Sequence, residues 1–167
     1  GTGFDWEMSH QWSTFDEAIA EARRLNRAGV GIVLPAQLPD GSFLVALDFD
    51  DVDISEPENN PRYDEILQTF DSLNQPYAEE SPSQKGLRMF LRASRPIAQI
   101  SKPNKHGGKD ELFCASRKWV TVTGMRVGGD GIPDETDQLN QLAQSWGAKN
   151  ISPNKSPQAQ SGSHTSS

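Results

Sequence analysis

The sequence contains a single cysteine, few histidines and no long hydrophobic run. The lone Cys114 cannot form an internal disulfide, which is typical of a reducing compartment. No apolar run approaches the length of a membrane span, and the first residues lack the basic segment and following apolar stretch of a signal peptide. These absences predict a soluble, cytoplasmic protein with no membrane partner.

The three histidines, His10, His106 and His164, are scattered along the chain. Together with one cysteine they cannot assemble a structural zinc site. They also lack the paired-histidine motif that a rolling-circle nicking enzyme needs beside its nucleophilic tyrosine. Tyr77 is therefore interpreted as a packed residue rather than a nucleophile.

The length of 167 residues suits one domain with a hydrophobic core. Residues 1–149 are predicted to form this domain. Residues 150–167 are mostly small or polar and contain almost no large apolar side chain. Such a segment cannot bury enough surface to offset the entropy of folding, which predicts a disordered tail or linker.

The net charge of -7 is unevenly distributed. Ten of the 16 basic residues lie within residues 85–126, where Asp110 and Glu111 are the only acids, so this segment carries ten minus two, or +8. Acidic residues crowd instead into residues 48–58. The pattern indicates either two separate solvated faces or an acidic site beside a basic strip that contacts nucleic-acid phosphates.

Local sequence signals predict an α+β domain. A hydroxyl cap and early acids predict a helix that begins near Thr14 and ends before Gly29. Apolar spacing predicts two more helices, over residues 62–73 and 134–148, and five strands, over residues 30–34, 43–49, 87–93, 111–114 and 119–123. The turn sequence Pro39-Asp40-Gly41 predicts that the first two strands form a hairpin. This mixture favours a mostly antiparallel sheet flanked by helices.

Two carboxylates end the second predicted strand. Asp48 and Asp50 are two residues apart, so their side chains project from the same face of a sheet. Paired carboxylates suit Mg²⁺ or Mn²⁺, which support nucleotidyl transfer when two ions act together. Acids that follow a strand are also common in solvated loops, and this alternative stays open. Asp51 and Asp53 fit solvated neighbours, with Asp53 also a candidate accessory ligand.

Phosphate-binding side chains precede the third predicted strand. Ser81 and Ser83 can donate hydrogen bonds, Lys85 and Arg88 can contact phosphate oxygens, and Gly86 permits a close backbone approach. The same residues also fit an ordinary polar turn that enters a strand.

A third acid and a basic pair accompany the last two predicted strands. Glu111 either completes a metal site with the earlier acids or pairs with Lys109 on the surface. Arg117 and Lys118 fit either a phosphate contact or a charged turn.

In order and spacing, these motifs resemble the archaeo-eukaryotic primase superfamily, and in particular the primase-polymerase domains of phages, plasmids and other mobile elements. The resemblance runs from about Trp12 to Gly124 and includes Ser81-Pro82-Ser83, Gly86-Leu87-Arg88, Glu111-Leu112-Phe113 and Thr121-Val122-Thr123-Gly124. It implies an RRM-like catalytic core. It also implies a DNA primase or polymerase that joins nucleotides on a template in a bacterial, archaeal or phage-infected cell.

The resemblance also implies a role for each motif. The catalytic residues that hold Mg²⁺ or Mn²⁺ would be Asp48, Asp50 and Glu111. The nucleoside triphosphate would be bound by Ser81, Ser83, Lys85 and Arg88, with Arg117 or Lys118. Expected partners are a helicase domain or subunit and a DNA primer and template, whose phosphates we expect on Lys102, Lys105 and Lys109. Arg88 stands where the family often has histidine, and Gln84 where it usually has glycine.

Two other functions are compatible with the same residues. A catalytically inactive replication-initiation module could bind nucleic acid and leave synthesis to a partner, which the arginine in place of histidine permits. A nuclease could use the same acids, because paired metals also cleave phosphodiesters.

Overall fold

The computed structural model describes residues 14–149 apart from 28, 35–36, 54, 56–58 and 117. The paired strands run antiparallel, which confirms the α+β class with a mostly antiparallel sheet. The predicted tail, residues 150–167, lies outside the described residues. The elements in chain order are α1 (Phe15–Arg24), β1 (Val30–Val33), β2 (Phe43–Asp50), α2 (Tyr63–Ser72), β3 (Tyr77–Glu80), β4 (Gly86–Ala93), β5 (Ile100–Pro103), β6 (Lys109–Cys114), β7 (Trp119–Val122), β8 (Arg126–Gly128) and α3 (Thr136–Ser145).

The core surrounds a six-stranded sheet with the strand order β5-β6-β2-β4-β3-β8. The central strand β2 buries consecutive residues because both of its faces are covered. On one face, Val45 and Leu47 belong to a core that includes Ile66 of α2 and Leu139 of α3. On the other face, Ala46 lies in a second core with Val120 of β7 and with Leu34, which directly follows β1. Strands β1 and β7 form a separate two-stranded sheet.

The predicted hairpin between β1 and β2 is wrong. Val30 of β1 is instead the register partner of Val122 in β7, and β2 pairs with β4 and β6. The turn is present, with Leu38 donating to the Ser42 carbonyl at 2.7 Å, but it joins strands of different layers. The physical reason is that β2 is apolar on both faces and needs a strand on each side and a layer above each face.

Three strands were not predicted from the sequence. They are β3, β5 and β8, which are short and polar and rely on pairing with neighbours. The predicted cap of α1 is confirmed: Thr14 Oγ1 accepts the Glu17 N–H at 3.3 Å, and the Glu17 carboxylate accepts the Thr14 N–H at 2.8 Å. Within the part of the chain that the structure describes, no helix is both long and apolar enough to cross a membrane.

Candidate functional site

Four ionisable side chains form a row across the six-stranded sheet. The register places Glu79 opposite Arg88, Arg88 opposite Asp48, and Asp48 opposite Glu111. Directly opposed residues of neighbouring strands share a face. Asp50 lies two residues beyond Asp48 on β2 and therefore on the same face. The sheet thus brings the three predicted metal ligands together on one surface.

Arg88 is bonded to one of these acids. Its Nε atom lies 3.1 Å from Asp48 Oδ1, and a terminal nitrogen donates to the Thr121 carbonyl at 2.9 Å. The side chains of Arg88 and Asp48 are only 14% and 21% exposed. Because Thr121 belongs to β7, this guanidinium connects the small sheet to the carboxylate row.

Asp48 is held in an unfavourable environment for a negative charge. Burial raises the pKa of this carboxyl, Arg88 partly offsets the rise, and the carboxylates of Asp50 and Glu111 add to it. Like charges in a partly dry site repel one another because little water screens them. The group of acids would therefore gain from a nearby cation.

The donor set fits a divalent cation, because carboxylate oxygens are the ligands that Mg²⁺ and Mn²⁺ prefer. Each acid already has a partner from the protein. Asp50 Oδ2 accepts the Lys109 N–H at 3.1 Å, and Glu111 Oε1 lies 3.7 Å from Lys109 Nζ, which is the surface pair foreseen as the alternative for Glu111. Among the described residues, no three Asp, Glu, His or Cys side chains converge as a ready-made metal site. A cation at this site would share the carboxylate oxygens with Arg88 and Lys109.

The backbone at the end of β2 is clamped by neighbouring elements. The Asp50 carbonyl accepts hydrogen bonds from Arg62 and, at 3.2 Å, from the Asn104 amide. Asp51 adopts a φ of 60° and accepts the Gly108 N–H at 2.8 Å. Asp51 thus ties β2 to the β5–β6 hairpin.

Asp53 caps a local turn, where its Oδ1 atom accepts the Ser55 N–H at 2.9 Å. The accessory-ligand role foreseen for Asp53 stays a prediction.

A buried ion pair lies on the opposite face of the sheet. Arg62 and Asp110 are 2.6 Å apart and each only 2% exposed. Sequence reasoning did not find this pair. Strand alternation predicts the position of Asp110, because Asp110 precedes Glu111 on β6 and must point to the other face. Nothing in the sequence marked Arg62 as its partner.

The predicted phosphate-binding segment forms a tight turn between β3 and β4. Ser81 is buried and its Oγ lies 3.0 Å from Ser83 Oγ, while Lys85 is exposed. A Cβ on Gly86 would stand 2.9 Å from the Phe49 carbonyl oxygen, so this glycine allows the close approach of β4 to β2. Lys85 also lines a pocket of about 260 Å³, whose other walls are Asp51, Asp53, Asn59, Asn60 and Pro61.

The predicted basic contacts do not all share the acidic face. Lys102 lies on the opposite face, 3.7 Å from Asp110 and with its ammonium 4.8 Å from the Trp146 ring centroid. Lys105 is exposed in the β5–β6 turn, and the Lys118 ammonium lies 4.7 Å from the Phe113 ring centroid. Arg117 lies outside the described residues.

Glu79 is a further member of the row that sequence reasoning missed. It is fully buried, and its carboxylate accepts the N–H groups of Thr123 and Gly124, each at 3.0 Å. It also accepts the Tyr77 hydroxyl at 3.0 Å. Burial raises the pKa of this hydroxyl, and the bond to Glu79 adds to the rise. Glu79 therefore fixes the segment after β7 against β3, beside Arg88.

Gly108 lies in the β5–β6 hairpin and packs closely on Asp50 and Asp51. A Cβ there would stand 2.5 Å from Asp51 Oδ2 and 2.6 Å from Asp50 Cβ. If these acids hold a divalent cation, Gly108→Ala should displace Asp50 and Asp51 and lower its affinity by about tenfold or more, a loss typical of disturbed outer-shell contacts. Mn²⁺ titration followed by electron paramagnetic resonance measures this. The matched control is Gly131→Ala, where the added Cβ meets nothing within 4 Å. Equal affinities of the two variants would contradict the prediction.

Comparison with known proteins adds no assignment: no protein-family model matches the chain, and no curated protein sequence matches it significantly.

Proposed function

We propose that this domain is a primase-polymerase core that joins nucleotides on a nucleic-acid template. The observation that carries the proposal is the row on the sheet, where Asp48 and Glu111 are direct neighbours and Asp50 lies on the same face. Three acids on one face of the sheet, beside a cationic clamp, suit phosphoryl chemistry, in which charge stabilisation supplies most of the catalysis. An RRM-like primase core is the finer fold that we propose within the α+β class.

Asp48, Asp50 and Glu111 would hold the divalent cations. When bound, such cations supply an activated attacking hydroxyl and charge stabilisation for the departing pyrophosphate. The protein holds the carboxylates in position for these cations. Arg62 and Asn104 fix the Asp50 backbone from one side, so the carboxylates keep a defined spacing.

Arg88 and the turn before β4 would bind the triphosphate. The guanidinium would leave Asp48 and contact phosphate oxygens in a bidentate fork, while its bond to Thr121 keeps it in place. Ser83 and Lys85 lie in the turn next to it. Gln84 in this turn has a φ of 57°, a left-handed conformation that favours glycine, in keeping with the residue that the resemblance leads us to expect there.

A nucleic-acid-binding module without catalysis is the second candidate. It is favoured by the ion pair between Arg88 and Asp48, which neutralises a proposed metal ligand with a protein cation. In that case the row would be a structural charge network, and synthesis would belong to a partner.

A primer-extension assay distinguishes these candidates. The purified chain is incubated with a labelled primer-template, each set of nucleoside triphosphates, and Mg²⁺ or Mn²⁺. The primase-polymerase proposal predicts stepwise, metal-dependent lengthening of the primer. Bound but unchanged substrate would favour the inactive module, and metal-dependent shortening would favour a nuclease.

A further inference from the structure

Glu79 is a buried carboxylate that accepts hydrogen bonds from three neutral groups. Its side chain lies in a residue that is 0% exposed, and its Oε1 atom accepts the Thr123 N–H at 3.0 Å. Its Oε2 atom accepts the Gly124 N–H and the Tyr77 hydroxyl, each at 3.0 Å. Burying a charge is costly, and these bonds offset the cost. The carboxylate therefore depends on its contacts with the backbone that follows β7.

Both oxygens of Glu79 are used to hold that backbone. The N–H groups of Thr123 and Gly124 each bind a different carboxylate oxygen. A glutamine side chain has a single oxygen acceptor, and its amide nitrogen only donates. In Glu79→Gln, one of the two backbone N–H groups would consequently face another donor. The substitution keeps the size of the side chain and breaks the two-point contact.

The segment that Glu79 holds leads directly to Arg88. Thr121 lies two residues before Thr123, and its carbonyl accepts a hydrogen bond from Arg88 Nη1 at 2.9 Å. Glu79 is also the register partner of Arg88, so the two side chains share a face of the six-stranded sheet. Tyr77, on the same face of β3, packs against the second core beneath the small sheet. Glu79 and Arg88 therefore attach the end of β7 to the six-stranded sheet at neighbouring points.

We propose that Glu79 is a positioning residue for the nucleoside triphosphate, acting through Thr121 and Arg88. The Thr121 carbonyl is the anchor that Arg88 keeps when its guanidinium contacts phosphate oxygens. An arginine side chain has many rotamers, and a fixed acceptor for one nitrogen limits where the other N–H groups point. Glu79 fixes that acceptor by holding the backbone just beyond it. The inference rests on the proposed function, because it takes the ligand of Arg88 to be a triphosphate.

The test is a double-mutant cycle on triphosphate binding. Isothermal titration calorimetry compares wild type, Glu79→Gln, Arg88→Met and the double variant, using a non-hydrolysable deoxynucleoside triphosphate and Mg²⁺ without primer or template. Glu79→Gln alone should weaken binding by about tenfold, as expected when a hydrogen bond to a charged group is misplaced. In the Arg88→Met background it should change the affinity by less than about twofold, because the residue through which Glu79 acts is gone. A brace that only stabilises the fold would not depend on Arg88 in this way.

The matched control is Glu80→Gln, which removes the next acid along β3. Strand alternation directs the Glu80 side chain to the other face of the sheet, so its loss should leave triphosphate affinity nearly unchanged. Circular dichroism checks that each variant is folded.

A second variant disturbs the same segment and leaves Glu79 in place. Gly124 has a φ of 72°, and an added Cβ would meet nothing within 4 Å, so Gly124→Ala strains the backbone without a clash. It should weaken triphosphate binding with the same dependence on Arg88, and it decides the question if Glu79→Gln does not fold. Its control is Gly147→Ala, which has a φ of 100° and equally open space. Gly147 follows α3, which packs on the opposite face of the sheet.

Unchanged triphosphate affinity in Glu79→Gln and Gly124→Ala would overturn the inference. So would an equal loss of affinity with and without Arg88. Both results leave the proposed function intact if wild type extends primers. The predicted coupling without primer extension would support the positioning role and remove the polymerase, whereas a wild-type protein that binds no triphosphate would remove both.

Discussion

Replacing Asp48 by asparagine is expected to abolish nucleotide incorporation while the domain stays folded. A bound divalent cation supplies several kcal/mol of transition-state stabilisation, so losing a ligand should slow incorporation by about a thousandfold or more. Asparagine keeps the shape of the side chain and can still accept the hydrogen bond from Arg88. The measurement is the single-turnover rate on a primer-template. The matched control is Asp51→Asn, which removes an adjacent acid that binds the Gly108 N–H instead of joining the row.

The same variant is expected to be more stable than wild type at neutral pH. Burial and the neighbouring acids raise the pKa of Asp48 in the folded protein, so its ionised form opposes folding. This penalty is absent at pH values below the pKa that Asp48 has in the unfolded chain. It develops as the pH rises from that value through the raised pKa of Asp48 in the folded protein. The advantage of Asp48→Asn in thermal midpoint should therefore grow with pH and vanish in acid. A variant that is less stable than wild type at neutral pH would show that the bond to Arg88 outweighs the repulsion.

The largest expected effect on stability comes from breaking the buried pair of Arg62 and Asp110. Asp110→Asn leaves a guanidinium that is 2% exposed without its counter-charge, and Lys102 nearby adds a second cation. Removing one partner of a buried pair typically costs about 3–5 kcal/mol. Urea denaturation followed by circular dichroism should show this loss in the free energy of unfolding. Because Arg62 also holds the Asp50 carbonyl, the variant should lose activity as well.

Two further variants determine whether the unpaired buried charge causes the loss of stability in Asp110→Asn. Glu21→Gln breaks the pair with Arg24 on α1, whose side chains are 53% and 66% exposed, and should change stability little. The double variant Arg62→Met/Asp110→Leu replaces both charges by apolar groups and should recover much of the loss. A small loss in Asp110→Asn, similar to that in Glu21→Gln, would mean that the buried pair contributes little.

Short sequence patterns predicted the parts of the fold that depend on residues close together in the chain. The α1 cap follows from the spacing of Thr14 and Glu17, whose side chain and backbone bond each other. Strand β2 follows from a run of apolar residues, and the two-residue spacing of Asp48 and Asp50 predicts their shared face. These features need only neighbouring residues in the chain.

Pairing between distant segments could not be read from the sequence. The turn at Pro39–Gly41 looks the same whether it joins paired strands or strands of different layers, and the choice depends on β2 being covered on both faces. Similarly, the opposition of Asp48 and Glu111 depends on the register between β2 and β6. The contact between Arg88 and Asp48 depends in the same way on the register between β2 and β4.

The most direct test of the central claim is Mn²⁺ binding, measured by electron paramagnetic resonance in the presence of a non-hydrolysable nucleotide. The account predicts that wild type and Asp51→Asn bind Mn²⁺ with similar affinity, whereas Asp48→Asn and Glu111→Gln each bind at least about tenfold more weakly, which corresponds to 1.4 kcal/mol or more. Mn²⁺ binding that is unchanged by either substitution, or absent from the wild-type protein, would contradict the assignment of the carboxylate row as a catalytic metal site.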